Sequence, residues 1–264
     1  MSPPGRVIPF TKASACGNDF LIVEGALAPS LIAEWTRQIC DRHNGVGADG
    51  VEWLFPATDA DVEARLINAD GSPAEISGNG TRCVAAHLCA LNGRESIVIR
   101  TGAGRKTCTL LARSENTFEF ETAMGVPRVG NESAIQTSFG EVKGIPVSMG
   151  NPHFVIFVAG FAPAWQERAA EIQRDPTFTE GVNVELVASR DKQNIDVRFL
   201  ERGVGETQSS GTGSCAAAMA AIASGHAESP VRVHAPGGMQ SVRFDKEVFL
   251  RGSAQLVCRG EVFI

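Results

Sequence analysis

The sequence contains no tyrosine, which excludes acid–base schemes built on a phenol. Aromatic residues of every kind make up only 6%. No apolar stretch reaches the length of a membrane span. Positive charge is not in excess: Lys and Arg total 24 against 30 Asp and Glu, for a net charge of −6. With the signs mixed along the chain, there is no basic footprint for nucleic acid. Residues 1–10 lack a charged stretch followed by a long apolar run and a cleavage site, so no secretory signal is read and a cytoplasmic protein is expected. There is no Walker motif and no C-x-x-C. The seven cysteines are odd in number and not spaced like disulfides, and they read as reduced, mostly buried thiols. Cys40 and His43 have ligand-like spacing but no second pair, so no metal is expected.

What is present repeats. Gly17-Asn18-Asp19-Phe20 opens one apolar run and Gly150-Asn151-Pro152-His153-Phe154 opens another. Ser77-Gly78-Asn79-Gly80-Thr81 precedes a small-residue segment, and Ser210-Gly211-Thr212-Gly213-Ser214 precedes a second. Both pairs of landmarks are 133 residues apart, as Ser77 and Ser210 show. Solenoid repeats have periods of roughly 20–50 residues, so this spacing predicts two pseudo-symmetric halves. The first half is expected to take residues 1–116 and 254–264, the second 117–253.

Strand patterns fall at 20–23, 51–54 and 64–68, the last running into the turn at Asp70-Gly71. Ser30 is positioned to cap a helix over 31–42, with Gly45 as its stop. A second helix is predicted over 81–91 with Gly93 beyond it. Strands at 96–100 and 107–112 flank Gly102-Ala103-Gly104, and 117–122 continues the pattern. The second half repeats the order: strand 154–158, helix 163–174, strands 182–187 and 194–200, and helix 214–224. Strands at 230–235 and 240–244 flank Pro236-Gly237-Gly238, and 246–250 and 255–263 follow. The last strand is expected to return to the first half. The fold class is α/β (α+β), each half a β-rich sheet or barrel around one buried, Ala-rich helix. Gly45-Val46-Gly47-Ala48-Asp49-Gly50 matches G-x-G-x-x-G, but a helix precedes it and a strand follows, the reverse of a dinucleotide site.

Ser-Gly-x-Gly before a helix aims backbone N–H groups at a ligand, an arrangement suited to a carboxylate or phosphate. One such start alone is an ordinary serine cap; two at a fixed offset suggest one anionic group held from two sides. Glu201-Arg202 ends a strand, and arginine is the natural fork for a carboxylate. Asn18, Asn68, Asn151 and Asn183 sit at strand or turn junctions, where an amide can both donate and accept.

These segments, with Asp41-Arg42-His43-x-Gly45-Val46-Gly47-Ala48-Asp49-Gly50, Asn68-Ala69-Asp70-Gly71-Ser72, Gly78-Asn79-Gly80-x-Arg82-Cys83 and Glu201-Arg202-Gly203-x-Gly205-Glu206-Thr207, resemble the diaminopimelate epimerase family. The likeness extends to Pro236-Gly237-Gly238, essentially the whole chain. It implies two halves with a site in the cleft between them, a small amino-acid substrate, no cofactor, no nucleic-acid or membrane partner, and a homodimer. It implies that Asn18, Asn68, Asn151, Asn183, Glu201 and Arg202 recognise the distal amino-acid end. It implies too that Gly78, Asn79, Gly211 and Thr212 present the backbone that cradles the reacting carboxylate.

The family uses two cysteines, one on each face of the substrate α-carbon. Here those catalytic positions hold Ser77 and Ser210. A hydroxyl is far less acidic than a thiol and is, unaided, a poor base for a carbon-bound proton. Cys83 and Cys215 do not replace them, since the family pattern already has a cysteine near those helical positions. The same change at both positions argues against random decay. It fits deliberate exchange to trap a complex, and it fits a natural branch with a serine pair. The expected activity is interconversion of LL- and meso-2,6-diaminopimelate. The alternatives are another isomerase, racemase or dehydratase of the superfamily on a different amino acid, or a non-catalytic amino-acid-binding homologue.

Overall fold

A computed structural model describes residues 7–263. Residues 1–6, which carry much of the segment read for a secretory signal, and residue 264 lie outside the described residues. The chain divides into two compact units, Met1–Thr122 with Gly252–Ile264, and Ala123–Arg251. The changes of unit expected at 116/117 and 253/254 compare with 122/123 and 251/252.

In the first unit the order is β1 (Val7–Ala15), β2 (Asn18–Glu24), α1 (Ile32–Cys40), β3 (Gly50–Phe55), β4 (Val62–Asn68), β5 (Pro73–Ala74), α2 (Gly78–Asn92), β6 (Ser96–Thr101), β7 (Gly104–Ser114) and β8 (Thr117–Gly125). Most neighbours are antiparallel. The exceptions are the parallel pairs β2/β3 and β4/β6, and each is bridged by the crossover helix that a parallel pair requires. Strands β1, β2, β3, β4, β6, β7 and β8 join in turn, and β18 (Glu247–Phe263) pairs with both β8 and β1, closing an eight-stranded barrel. The return of the last strand to the first half is thereby observed. Helix α2 supplies Cys83, Val84, Ala85 and Ala86 to a core shared with Phe20, Leu54, Ile97, Phe118 and Phe120. Small residues suit it because a helix inside a barrel is surrounded on all sides. Helix α1 packs on a second cluster, its Trp35 ring 5.2 Å from that of Trp53.

The second unit repeats this order with β9 (Arg128–Val129), β10 (Ser133–Thr137), β11 (Gly140–Ser148), β12 (Pro152–Phe157), α3 (Trp165–Gln173), β13 (Asn183–Asp191), β14 (Asn194–Glu201), β15 (Gly205–Thr207), α4 (Gly211–Ala223), β16 (Val231–Ala235) and β17 (Gly238–Asp245). Again two pairs are parallel, β12/β13 and β14/β16. The registers correspond as well. Phe20 faces Gly50 as His153 faces Asn183, and Glu52 faces Leu66 as Glu185 faces Phe199, every residue shifted by 133. The core of this unit gathers around Cys215–Ala221 of α4, and α3 covers a second cluster with Phe154, Val184 and Leu200.

Several expectations are corrected. Ser30 is not a cap: α1 starts after Leu31, without a side-chain cap, where Ile32 joins the core. Gly45 serves that helix end differently. A Cβ there would lie 2.5 Å from the Ile39 carbonyl oxygen, so only glycine lets the loop cross the helix terminus. Gly93 does end α2 in the left-handed region, at φ 70°. The segments 246–250 and 255–263 are one continuous strand. Gly252 inside it makes room for Arg82, whose guanidinium carbon would lie 3.1 Å from a Cβ there. Strand β1 and the β10/β11 hairpin were not anticipated.

Candidate active site

In the first unit, Ser77 sits in extended backbone and its Oγ accepts the Gly80 N–H at 3.0 Å, the geometry of an N-cap. Asn79 donates through Nδ2 to Asn18 Oδ1 at 2.7 Å, and its Oδ1 accepts from Arg82. Asn18 in turn donates to Asp49 Oδ2 at 3.0 Å, and Arg42 bridges Asp49 and Asp19. The turn, the helix start and the Asp41–Gly50 loop are thus tied together. Asn68, at the end of β4, donates to Ser72 Oγ at 3.1 Å.

The second unit builds the same device with different partners. Ser210 Oγ accepts the Gly213 N–H at 3.1 Å, and the Glu201 carboxyl lies near enough for the Ser210 hydroxyl to lower its pKa. Asn151 Nδ2 donates to Thr212 Oγ1 at 3.4 Å, the counterpart of the Asn18–Asn79 bond. Asn151 Oδ1 accepts from His153 Nε2 at 3.0 Å, and His153 Nδ1 lies 2.7 Å from Glu185 Oε1. With Nε2 committed as donor, Nδ1 either accepts from a protonated Glu185 or donates to its carboxylate. In both cases the buried dyad holds one shared proton. Burial pushes the Glu185 carboxyl up, and His153 pulls it partly back. Glu185 Oε2 is buried without a hydrogen-bond partner. Burial raises Glu201 too, offset in part by the Ser210 hydroxyl.

Asn183 donates to the Pro152 carbonyl and accepts the Arg202 backbone N–H, both at 3.0 Å, which fixes the backbone where Arg202 begins. The Arg202 side chain is exposed, crosses Gly181 and bonds the Glu180 carbonyl. Gly78 and Gly211 are the first residues of their helices, where N–H groups have no intrahelical carbonyl. The side-chain bonds tie Asn18 to the Ser77 helix start and Asn151 to the Ser210 helix start, whereas Asn68, Asn183 and Arg202 bond elsewhere in their units.

Three participants were missed in the sequence: His153, Glu185 and Glu52. Glu52 and Glu185 share the 133-residue offset, and each is buried between apolar neighbours, Val51 and Trp53 in one strand and Val184 and Leu186 in the other. That combination was the available signal. Their carboxyls explain the second glycine of each Ser-Gly-x-Gly. A Cβ on Gly213 would lie 2.9 Å from Glu185 Oε1, and one on Gly80 would overlap Glu52 Oε1. Cys83 is fully buried, and burial pushes its thiol far up, so it is no substitute for a reactive cysteine. Among the described residues no three His, Cys, Asp or Glu side chains are grouped to hold a metal.

The family model of diaminopimelate epimerase matches residues 10–129 and 145–257. The chain belongs to the diaminopimelate epimerase family. It is 35% identical to the diaminopimelate epimerase of Halothermothrix orenii, covering 97% of this chain and 98% of that one. Against the enzyme of Sphingopyxis alaskensis the figures are 38% identity and 96% of each chain. Among solved structures, a hydroxyproline epimerase from Agrobacterium vitis superposes with a TM-score of 0.77 at 16% identity, covering 98% of this chain and 93% of that one. A PhzF-family phenazine biosynthesis protein of Bacillus anthracis gives 0.73 at 15%, covering 98% and 100%. At such identities the likeness is one of fold. The diaminopimelate epimerase family is a family of isomerases.

Proposed function

We propose that this protein interconverts LL- and meso-2,6-diaminopimelate without a cofactor, Ser77 serving one face of the substrate α-carbon and Ser210 the other. The carrying observation is the repeated serine-capped helix start, each with a buried carboxyl against its second glycine, in a chain of this family. The N–H groups around Gly78, Asn79, Gly211 and Thr212 bind the α-carboxylate and stabilise it as negative charge develops on it. In the second half, Ser210 Oγ takes the α-proton while its own hydroxyl proton moves to the nearby Glu201 carboxylate. A carboxylate thus supplies the basicity that a lone hydroxyl lacks. Arg202 forks the distal carboxylate, with Asn18, Asn68, Asn151 and Asn183 around the remaining polar groups. We read the assembly as a cytoplasmic homodimer of a duplicated fold.

The serine pair favours a second reading, an isomerase or dehydratase acting on a different amino acid. One experiment separates the two. The protein is incubated in heavy water with LL-diaminopimelate and α-deuterium is followed by mass spectrometry. Incorporation with formation of the meso isomer supports the first reading. Inertness toward diaminopimelate, with exchange or water loss on another amino acid, supports the second. Binding without exchange on any candidate makes the chain a binding homologue.

A further inference from the structure

The two serines do not have the same company. Ser210 has the Glu201 carboxyl near its hydroxyl and the His153–Glu185 dyad beside its helix start. At the corresponding positions, 133 residues earlier, the first unit has Asn68 for Glu201 and Phe20 for His153. An amide cannot take up a proton at neutral pH, and a phenyl ring cannot titrate. Asn68 is in any case engaged with Ser72. The counterpart that remains is Glu52. It stands in β3 between the fully buried Val51 and Trp53 and is itself only 3% exposed. A Cβ on Gly80 would meet two groups at once, the Glu52 carboxyl and, at 3.2 Å, Ser77 Cβ. Carboxyl and serine therefore flank one residue. Because Ser77 Oγ already accepts the Gly80 N–H, its hydroxyl hydrogen is left to donate.

We propose that Glu52 is the positioning residue of the first half-site, holding the proton that Ser77 exchanges. The assignment rests on the α-proton chemistry proposed above. In one direction, the substrate Cα–H bond breaks and its proton forms a new bond to Ser77 Oγ. The previous Oγ–H proton passes to the Glu52 carboxylate, which becomes neutral, and the electron pair stays on the substrate, delocalised into its carboxylate. In the other direction, neutral Glu52 gives its proton to Oγ as Ser77 delivers one to the α-carbon. Burial pushes the Glu52 carboxyl up to about 8, so at neutral pH this half rests as the donor. The buried Cys83 thiol on α2 feels the Glu52 charge, together with those of Arg82, Cys16 and Asp19. A buried carboxyl at this place, with no histidine beside it, makes the two half-sites chemically unequal.

The test reads position 77 directly and needs no substrate. Ser77→Cys is made in the full chain, with and without Glu52→Gln, and iodoacetamide alkylation at residue 77 is followed by peptide mass spectrometry from pH 6 to 10. With Glu52 present, the rate should rise in two steps, because the carboxylate formed near pH 8 opposes the thiolate. With Glu52→Gln the profile should become a single step, and the rate near pH 8.5 should rise about three- to tenfold, at one pKa unit per decade. Superimposable profiles overturn the assignment. Glu52→Leu, an apolar replacement of similar size, repeats the comparison should the glutamine variant fold poorly. Alpha-deuterium exchange by the Glu52→Gln protein with serine at 77 should then be slowed about a hundredfold and lose its limb near pH 8. Coupling at 77 without diaminopimelate exchange in the unaltered protein would leave Glu52 assigned and refute the substrate.

Discussion

Replacing Gly80 with alanine should destabilise the protein through one identifiable contact. Gly80 has no left-handed φ, so the backbone tolerates alanine and the question is one of space. The new methyl would overlap Glu52 Oε1 and come within 3.2 Å of Glu52 Cδ and Ser77 Cβ. Overpacking of this kind costs about 1–3 kcal/mol, and the better helix propensity of alanine returns at most about 1 kcal/mol. The expected net loss is about 1–2 kcal/mol. In a Glu52→Ala background the main obstacle is gone, and the same Gly80→Ala change should cost less than about 0.5 kcal/mol. The coupling energy from this double-mutant cycle should therefore exceed about 1 kcal/mol, within the usual range for contacting residues. Gly213 supplies a contrast. Its hypothetical Cβ meets Glu185 Oε1, Phe199 and Ser210 Oγ, all at 2.9 Å, so removing Glu185 relieves only one obstacle of three and the coupling should be smaller. Urea titrations followed by tryptophan fluorescence suit the first pair, because Trp35 and Trp53 pack together in the same unit. An equal penalty for Gly80→Ala in both backgrounds would refute the packing of Glu52 against the helix start.

Two further outcomes are expected. Arg202→Met should weaken diaminopimelate binding ten- to a hundredfold by calorimetric titration, since a charge-assisted bond contributes roughly 1.5–3 kcal/mol; the fold should persist, because the side chain is exposed. Stability should fall with rising pH across the window from about 4.5 to about 8. There the unfolded chain has released the Glu52 proton and the folded chain, with its carboxyl at about 8, still holds it. The contribution is complete below 4.5, declines by up to about 1.4 kcal/mol per pH unit and is lost above 8. Glu52→Gln should reduce that slope in chemical denaturation, leaving the tilt that Glu185 and Glu201 add in the same direction. An unchanged slope would contradict a neutral, buried Glu52.

Much of this was legible because the landmarks are punctuation. Ser-Gly-x-Gly, Gly-Asn and Pro-Gly-Gly mark helix starts and turns by backbone chemistry, and the 133-residue offset made each half a reading aid for the other. The hairpins at 102–104 and 236–238 follow from such local signals, as do the two helices, although these begin at Gly78 and Gly211, three residues before the 81 and 214 expected. The partners of Ser77 and Ser210 depend on tertiary placement. A glutamate in a strand such as Gly50–Phe55 looks like an outward-facing residue until the barrel is closed around α2 and both faces of the strand are seen to be covered. The His153–Glu185 bond joins neighbouring strands 32 residues apart, a pairing fixed by the register of β12 on β13. The sequence points to Glu201 as a recognition residue, and its place near the Ser210 hydroxyl comes only with the fold. In strand β1 the alternation of buried and exposed residues is broken at Phe10–Thr11, so its period is weak in the sequence.

The central claim is that Ser77 and Ser210 occupy the two proton-transfer positions of one epimerase site. The direct measurement is conversion of LL- to meso-diaminopimelate in heavy water by the unaltered chain, by Ser77→Cys, by Ser210→Cys and by the double variant. Two thiols of pKa about 8.5 would restore acidic groups to both faces. The account predicts a large rise in rate for the double variant and little for either single change, because one-sided proton transfer cannot complete an inversion. A double variant that binds diaminopimelate but leaves its α-hydrogen unexchanged would contradict it.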